Sequence, residues 1–124
     1  MGGTVPSIVK IDFANNLENP SPVATNWGTI GNVNYPVDLH VFKENNNYFG
    51  FTLNARDNTF TRFSFGTNFS QPPTGKNFGN IGNLDYPTGI YAIKDNGNWH
   101  VFITNEGTNN ANPSITRLDF GNSL

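Results

Sequence analysis

The sequence predicts an all-β repeat protein, and three observations carry that prediction. The phrase Ile8-Val9-Lys10-Ile11-Asp12-Phe13 returns as Phe60-Thr61-Arg62-Phe63-Ser64-Phe65 and again as Ile115-Thr116-Arg117-Leu118-Asp119-Phe120, at intervals of 52 and 55 residues. Between the copies lie short apolar runs broken by clusters of Asn, Gly and Pro, the pattern of strands and turns. No helical periodicity accompanies the repeat. Four strands in a period near fifty residues describe a β-propeller blade. The chain therefore reads as one two-blade propeller segment over residues 1–124, with repeats at about 8–59 and 60–114 and a partial third at 115–124.

Taken in order, residues 8–13 form the third strand of a blade whose inner two strands are missing. Residues 23–30 form a more polar outer strand, matched by residues 74–81. Each outer strand ends in a shared phrase: Trp27-Gly28-Thr29-Ile30-Gly31-Asn32-Val33-Asn34-Tyr35-Pro36 aligns with Phe78-Gly79-Asn80-Ile81-Gly82-Asn83-Leu84-Asp85-Tyr86-Pro87. Tyr-Pro suits the crossing from one blade's rim to the next blade's centre, since proline fixes its own φ and biases the residue before it towards extended backbone. Residues 37–43 are an inner strand, Asn45-Asn46-Asn47 a turn, residues 48–53 a second strand and residues 60–65 a third. The next blade repeats this order at 89–94, 99–104 and 115–120. Its first hairpin turns on Asp95-Asn96-Gly97-Asn98, where Asn-Gly supplies the two left-handed positions of a type I′ turn. Strands 99–104 are almost continuously apolar, as expected of a strand covered on both faces.

Two blades leave two broad apolar faces, more than a monomer tolerates. The expected remedy is a closed homo-oligomeric ring, with three chains giving six blades as the favoured count. Nine strands are one more than two blades need, because the third-strand phrase occurs at both ends. One terminal copy is therefore expected to be disordered or displaced. A sandwich of nine strands is the competing architecture, which the repeat disfavours.

Composition excludes several classes of function. A formal charge of −2 and a pI near 5.5 offer no basic field for nucleic acid. There is no cysteine, hence no disulfide, thiolate nucleophile or cysteine zinc site. No apolar stretch approaches the length of a membrane span. Met1-Gly2-Gly3-Thr4 lacks the basic and apolar regions of a signal peptide. Neither a cofactor nor a metal is expected.

Catalytic constellations are missing as well. His40 and His100 occupy unequal repeat positions, His40 matching Tyr91 and His100 matching Phe49, so both replace rings inside strands and read as core or interface residues. Lys10 with Asp12, and Arg117 with Asp119, stand two apart on one strand face and read as ion pairs between blades. No carboxylate dyad emerges. Asp95-Asn96-Gly97-Asn98 lacks the spaced ligands of a calcium loop. Gly-Asn-Ile-Gly-Asn lacks the lysine and helix of a phosphate loop. The serines have no His/Asp partners at repeated positions.

The repeated aromatics offer more. Trp27 matches Phe78, and Tyr35 matches Tyr86. Sugars bind where apolar ring faces meet aromatics ringed by hydrogen-bonding groups. Asn32 with Asn83, and Asn34 with Asp85, supply amides and a carboxylate nearby. The candidate ligand-binding residues are thus Trp27, Asn32, Tyr35, Phe78, Asn83, Asp85 and Tyr86, with inter-blade packing as the plain alternative.

The phrases Thr116-Arg117-Leu118-Asp119-Phe120-Gly121-Asn122-Ser123-Leu124, Gly79-Asn80-Ile81-Gly82-Asn83-Leu84 and Ile93-Lys94-Asp95-Asn96-Gly97-Asn98-Trp99 resemble propeller repeats in large surface proteins of gliding bacteria. The hairpin pattern is similar to that of NHL-type blades. This resemblance implies a secreted or cell-surface parent. By architectural analogy, two-blade chains that trimerise into six-bladed rings are found among lectins. The expectation is a non-enzymatic, self-assembling binding module with glycans as the ligand class. The alternative is a structural scaffold, natural or engineered, whose property is ring assembly.

Overall fold

The computed structural model describes residues 5–124; Met1, Gly2, Gly3 and Thr4, on which the absence of a leader was read, lie outside the described residues. Among the described residues nine strands form three antiparallel sheets. β1 (Ile8–Asp12) pairs with β2 (Val23–Gly28). β3 (Pro36–Glu44), β4 (Asn47–Asn54), β5 (Thr59–Gly66) and β6 (Thr74–Asn77) lie side by side in chain order. So do β7 (Pro87–Asp95), β8 (Asn98–Asn105) and β9 (Ser114–Gly121), with one 3₁₀ turn at Thr108–Asn110 before β9. Among the described residues the sheets do not close into a barrel or a ring.

The turns are where asparagine and glycine put them. Asn45 and Asn46 have φ of 46° and 67°, and Asn96 and Gly97 have 47° and 81°, the double left-handed pair that a tight hairpin requires. The outer strands are shorter than the sequence predicts. β2 stops at Gly28 and β6 at Asn77 because the backbone becomes left-handed at Gly28 (φ 75°) and Gly79 (φ 72°). Asn26 and Asn77 fix those breaks, each accepting the N–H two residues on at 2.7 Å.

Register repeats residue for residue. Phe51 opposes Arg62 as Phe102 opposes Arg117, and Thr52 opposes Thr61 as Ile103 opposes Thr116. Val9 opposes Asn26 as Thr61 opposes Asn77. Both copies of the third strand at the two ends of the chain are paired, β1 to β2 and β9 to β8, so within the chain neither is displaced. A displaced copy can arise only where a second chain meets the first.

The core lies between the four-stranded and three-stranded sheets, with β3 against β7. Phe51, Leu53 and Phe60 come from one side; Ile90, Ala92, Trp99, Val101 and Ile103 come from the other. Phe120 on β9 reaches across to Phe51 (5.5 Å), Phe60 (5.9 Å) and Phe78 (6.2 Å). Offset and edge contacts of this kind add to the area buried.

Polar ties align the two sheets. The Ile90 N–H donates to Asp38 Oδ2 at 2.8 Å. Buried Glu44 accepts from Lys94 Nζ and Trp99 Nε1, both at 2.6 Å. Burial pushes the Glu44 carboxyl up, but the Lys94 ammonium, the Trp99 indole N–H and the Leu124 backbone N–H together outweigh it and hold it below the ordinary 4.5. A carboxyl lower in the folded than in the unfolded state stabilises fully above the unfolded value. That contribution is lost as pH falls through the folded value. The melting temperature is therefore expected to drop on acidification below about pH 4.5, and Glu44→Gln to flatten part of that drop. Parallel melting-temperature curves for parent and variant would contradict it.

Two predicted ion pairs form, but not between sheets. Lys10 Nζ lies 3.3 Å from Asp12 and Arg117 Nε 3.2 Å from Asp119, each within its own strand. Residues two apart on one strand share a face, so the neighbour within the strand is reached first.

Candidate functional site

At one end of the sheets, the loops preceding β3 and β7 meet the turn between β4 and β5. Tyr35, Tyr86 and Arg56 converge there around an open cavity of about 200 Å³. The two tyrosines are held alike. The Tyr35 carbonyl accepts the Ala55 N–H at 3.1 Å, and the Tyr86 carbonyl accepts the Glu106 N–H at 3.0 Å. Tyr86 is tied further, its N–H donating to Asn58 Oδ1 at 2.7 Å.

Both tyrosines depart from the extended backbone that Tyr-Pro predicts. Tyr35 has φ 56° and Tyr86 φ 50°. The hydrogen bonds to the neighbouring turns hold a geometry that local sterics before proline disfavour. Among the described non-glycine residues, eleven have positive φ, and eight of them are asparagine. Asparagine tolerates that region; a bulky ring does not, and such strain costs on the order of 1–3 kcal/mol. A tyrosine occupies this strained position in both repeats, and the two residues are 60% (Tyr35) and 45% (Tyr86) exposed.

The remaining sequence candidates are placed differently. Trp27 packs on Phe65 at 6.3 Å, and its repeat mate Phe78 packs on Phe60 and Phe120. Arg62 and Lys76 lie over the Phe78 ring. These two aromatics serve packing between sheets, away from the Tyr35–Tyr86 cavity. Asn32 and Asn83 are exposed left-handed turn residues, with φ of 51° and 55°. The Asn32 carbonyl accepts from Asn77 at 3.3 Å. Asp85 accepts the Thr108 hydroxyl at 2.6 Å and the Thr108 N–H at 3.0 Å, which hold its carboxyl below the usual range. Its oxygens are occupied in fixing a loop. Asn34 bonds the neighbouring turn through Asp57.

His40 lies between sheets, and His100 pairs within one sheet. His40 meets Tyr91 edge-on at 5.1 Å, between β3 and β7. His100 Nδ1 lies 2.6 Å from Asp119 Oδ1 and, facing a carboxylate, serves as the donor. That bond, followed by the Arg117 charge, holds the Asp119 carboxyl below its ordinary value. Among the described residues no group of three His, Cys, Asp or Glu side chains could hold a metal.

Arg56 is the site residue that sequence reasoning misses. Its repeat counterpart is Gly107, so a cation stands where the other repeat has a glycine. That departure is the signal that could have found it.

A second exposed surface is apolar. Several apolar positions buried in one repeat are exposed in the other. Phe51 and Phe60 are 0% exposed, whereas their equivalents Phe102 and Ile115 are 40% and 72% exposed. In the opposite sense, Ile90 and Ala92 are 8% and 6% exposed, while Leu39 and Val41 are 52% and 42% exposed. The face carrying Leu39 borders a groove of about 380 Å³, between β1 and the four-stranded sheet, lined by Val9, Val37, Leu39 and Phe63.

No family model, curated protein or solved structure matches this chain.

Proposed function

We propose that this chain is a self-assembling, non-enzymatic β-propeller module that closes into a ring with other copies of itself and binds glycans at the Tyr35–Arg56–Tyr86 cavity. One observation carries the assembly: each sheet exposes the apolar positions that its repeat buries, so the far side of the three-stranded sheet matches the face bearing Leu39. Stacking the exposed face of one chain on that of another repeats the interface already formed inside the chain. Three chains giving six blades remain the favoured count. A secreted or cell-surface setting accords with the low charge and with the resemblance of the repeats.

Glycan binding rests on the two strained, exposed tyrosines. Ring faces stack on the apolar faces of sugars, and a guanidinium beside them pairs with a carboxylate. Sugars carrying a carboxylate are thus favoured over neutral ones. On a panel of neutral and acidic glycans, Tyr86→Ala is expected to weaken binding about tenfold, the loss of roughly 1–1.5 kcal/mol of aromatic contact. Arg56→Ala weakens binding to the acidic members alone. Absence of binding to every glycan, with the assembly intact, favours the scaffold reading instead.

A further inference from the structure

A ring junction brings five strands to a four-stranded sheet: β7, β8 and β9 of one chain, β1 and β2 of the next. Both β9 and β1 fit the third position by sequence. We propose that β9 keeps it, that β2 of the partner subunit pairs on the free edge of β9, and that β1 of the partner subunit is the surplus strand. This inference rests on the ring assembly proposed above.

A polar clasp anchored on buried Asn105 favours β9. In the four-stranded sheet Asn54 Nδ2 donates to Thr61 Oγ1 at 3.0 Å, and Thr61 Oγ1 donates to the Gly31 carbonyl at 3.1 Å. β9 reproduces this: Asn105 Nδ2 donates to Thr116 Oγ1 at 3.1 Å, and Thr116 Oγ1 donates to the Gly82 carbonyl at 3.1 Å. In β1 the equivalent residue is Val9. If β1 took the place of β9, Val9 would stand where Thr116 does, and Asn105, only 3% exposed, would lose one of its two hydroxyl acceptors while the Gly82 carbonyl lost its hydroxyl donor. Losing a hydrogen bond at a buried group is costly.

Packing points the same way. β9 is held by Leu118 and by Phe120, whose ring contacts Phe51, Phe60 and Phe78. Among the described residues β1 has β2 as its one strand neighbour, and its Val9 and Ile11 are already 49% and 56% exposed. Releasing β1 gives up one short hairpin. Releasing β9 opens the core.

The β5–β6 pairing sets the register at the junction. Thr61 opposes Asn77, and Arg62 opposes Lys76. By equivalence Thr116 faces Asn26 of the partner subunit, and Arg117 faces Thr25 of the partner subunit. The pairing also covers the open edge of β9, which is otherwise a template for unspecific association. One position fits less closely. Gly75 approaches Gly31 so nearly that a Cβ there would stand 2.7 Å from the Gly31 Cα, and β2 has Ala24 in that place. Gly82 must therefore stand further from β2 at the junction than Gly31 does from β6, and Ala24→Gly is expected to tighten the assembly.

The chain contains no cysteine, so engineered disulfides report the register without background. Directly opposed residues on antiparallel strands are within disulfide reach. The full-length Thr25→Cys, Arg117→Cys variant is expected to form covalent multimers under oxidation on a non-reducing gel, through β9 and β2 of different chains. The Lys10→Cys, Phe102→Cys variant, which reports β1 seated against β8, is expected to stay uncrosslinked. Crosslinking of the second pair in place of the first, or of neither pair in chains that still form multimers, overturns the strand assignment and leaves the ring standing. A monomeric parent chain overturns the ring itself.

Discussion

Replacing Phe51 by alanine is expected to destabilise the chain by about 3–5 kcal/mol, the usual cost of deleting a fully buried aromatic ring. Phe51 is 0% exposed, and its ring lies 5.0 Å from Phe42, 4.9 Å from Phe60 and 5.5 Å from Phe120. These partners come from β3, β5 and β9, so the ring joins both sides of the inter-sheet core. A cavity there cannot collapse without moving two sheets together. Domains of this size are stable by roughly 5–15 kcal/mol, so the loss is a large fraction of the whole. Urea titration measures it, and a loss below about 1 kcal/mol would show that the two sheets do not pack as described.

Leu39→Glu is expected to have the opposite profile, with little effect on the fold and a large effect on assembly. In the single chain Leu39 is 52% exposed, and a glutamate there reaches water. Such surface substitutions change stability by about 0.5 kcal/mol or less. In a ring Leu39 takes the environment of Ile90, which is 8% exposed. Burying an unpaired carboxylate costs several kcal/mol, which weakens association about a thousandfold or more. Sedimentation should find a smaller species with an unchanged circular dichroism spectrum. If the variant keeps the parent's mass, the Leu39 face is not an interface.

The strands were legible because their determinants are local. Asn96-Gly97 demands left-handed backbone wherever it occurs, and the recurring phrase at residues 8, 60 and 115 marks equivalent strands before any partner is known. What escaped the sequence depends on contacts between distant segments. The bias of a residue before proline is a rule of local sterics, yet at Tyr35 and Tyr86 it is overridden by N–H donors of Ala55 and Glu106, some twenty residues away. Lys10 and Arg117 were expected to reach across sheets, but each finds a carboxylate two residues away on its own strand.

The candidate site was half legible for a similar reason. Tyr35 and Tyr86 stand out as matched aromatics, and the structure brings them to one cavity. Trp27 and Phe78 match equally well in sequence, yet they belong to the packing between sheets, because an outer strand carries its last ring inward. A repeat shows which residues are equivalent without showing which way they face. Arg56 stands where the other repeat has Gly107, so matching the repeats does not select it, and the folding of the β4–β5 turn towards both tyrosines identifies it.

The central claim is that exposed faces of one chain are completed by another, and the solution mass of the unmodified chain tests it most directly. Light scattering at micromolar concentration should give an integer multiple of 13.7 kDa, with three chains the favoured count. A single 13.7 kDa species that melts cooperatively, with Phe102, Ile115 and Leu39 left in water, would contradict the account.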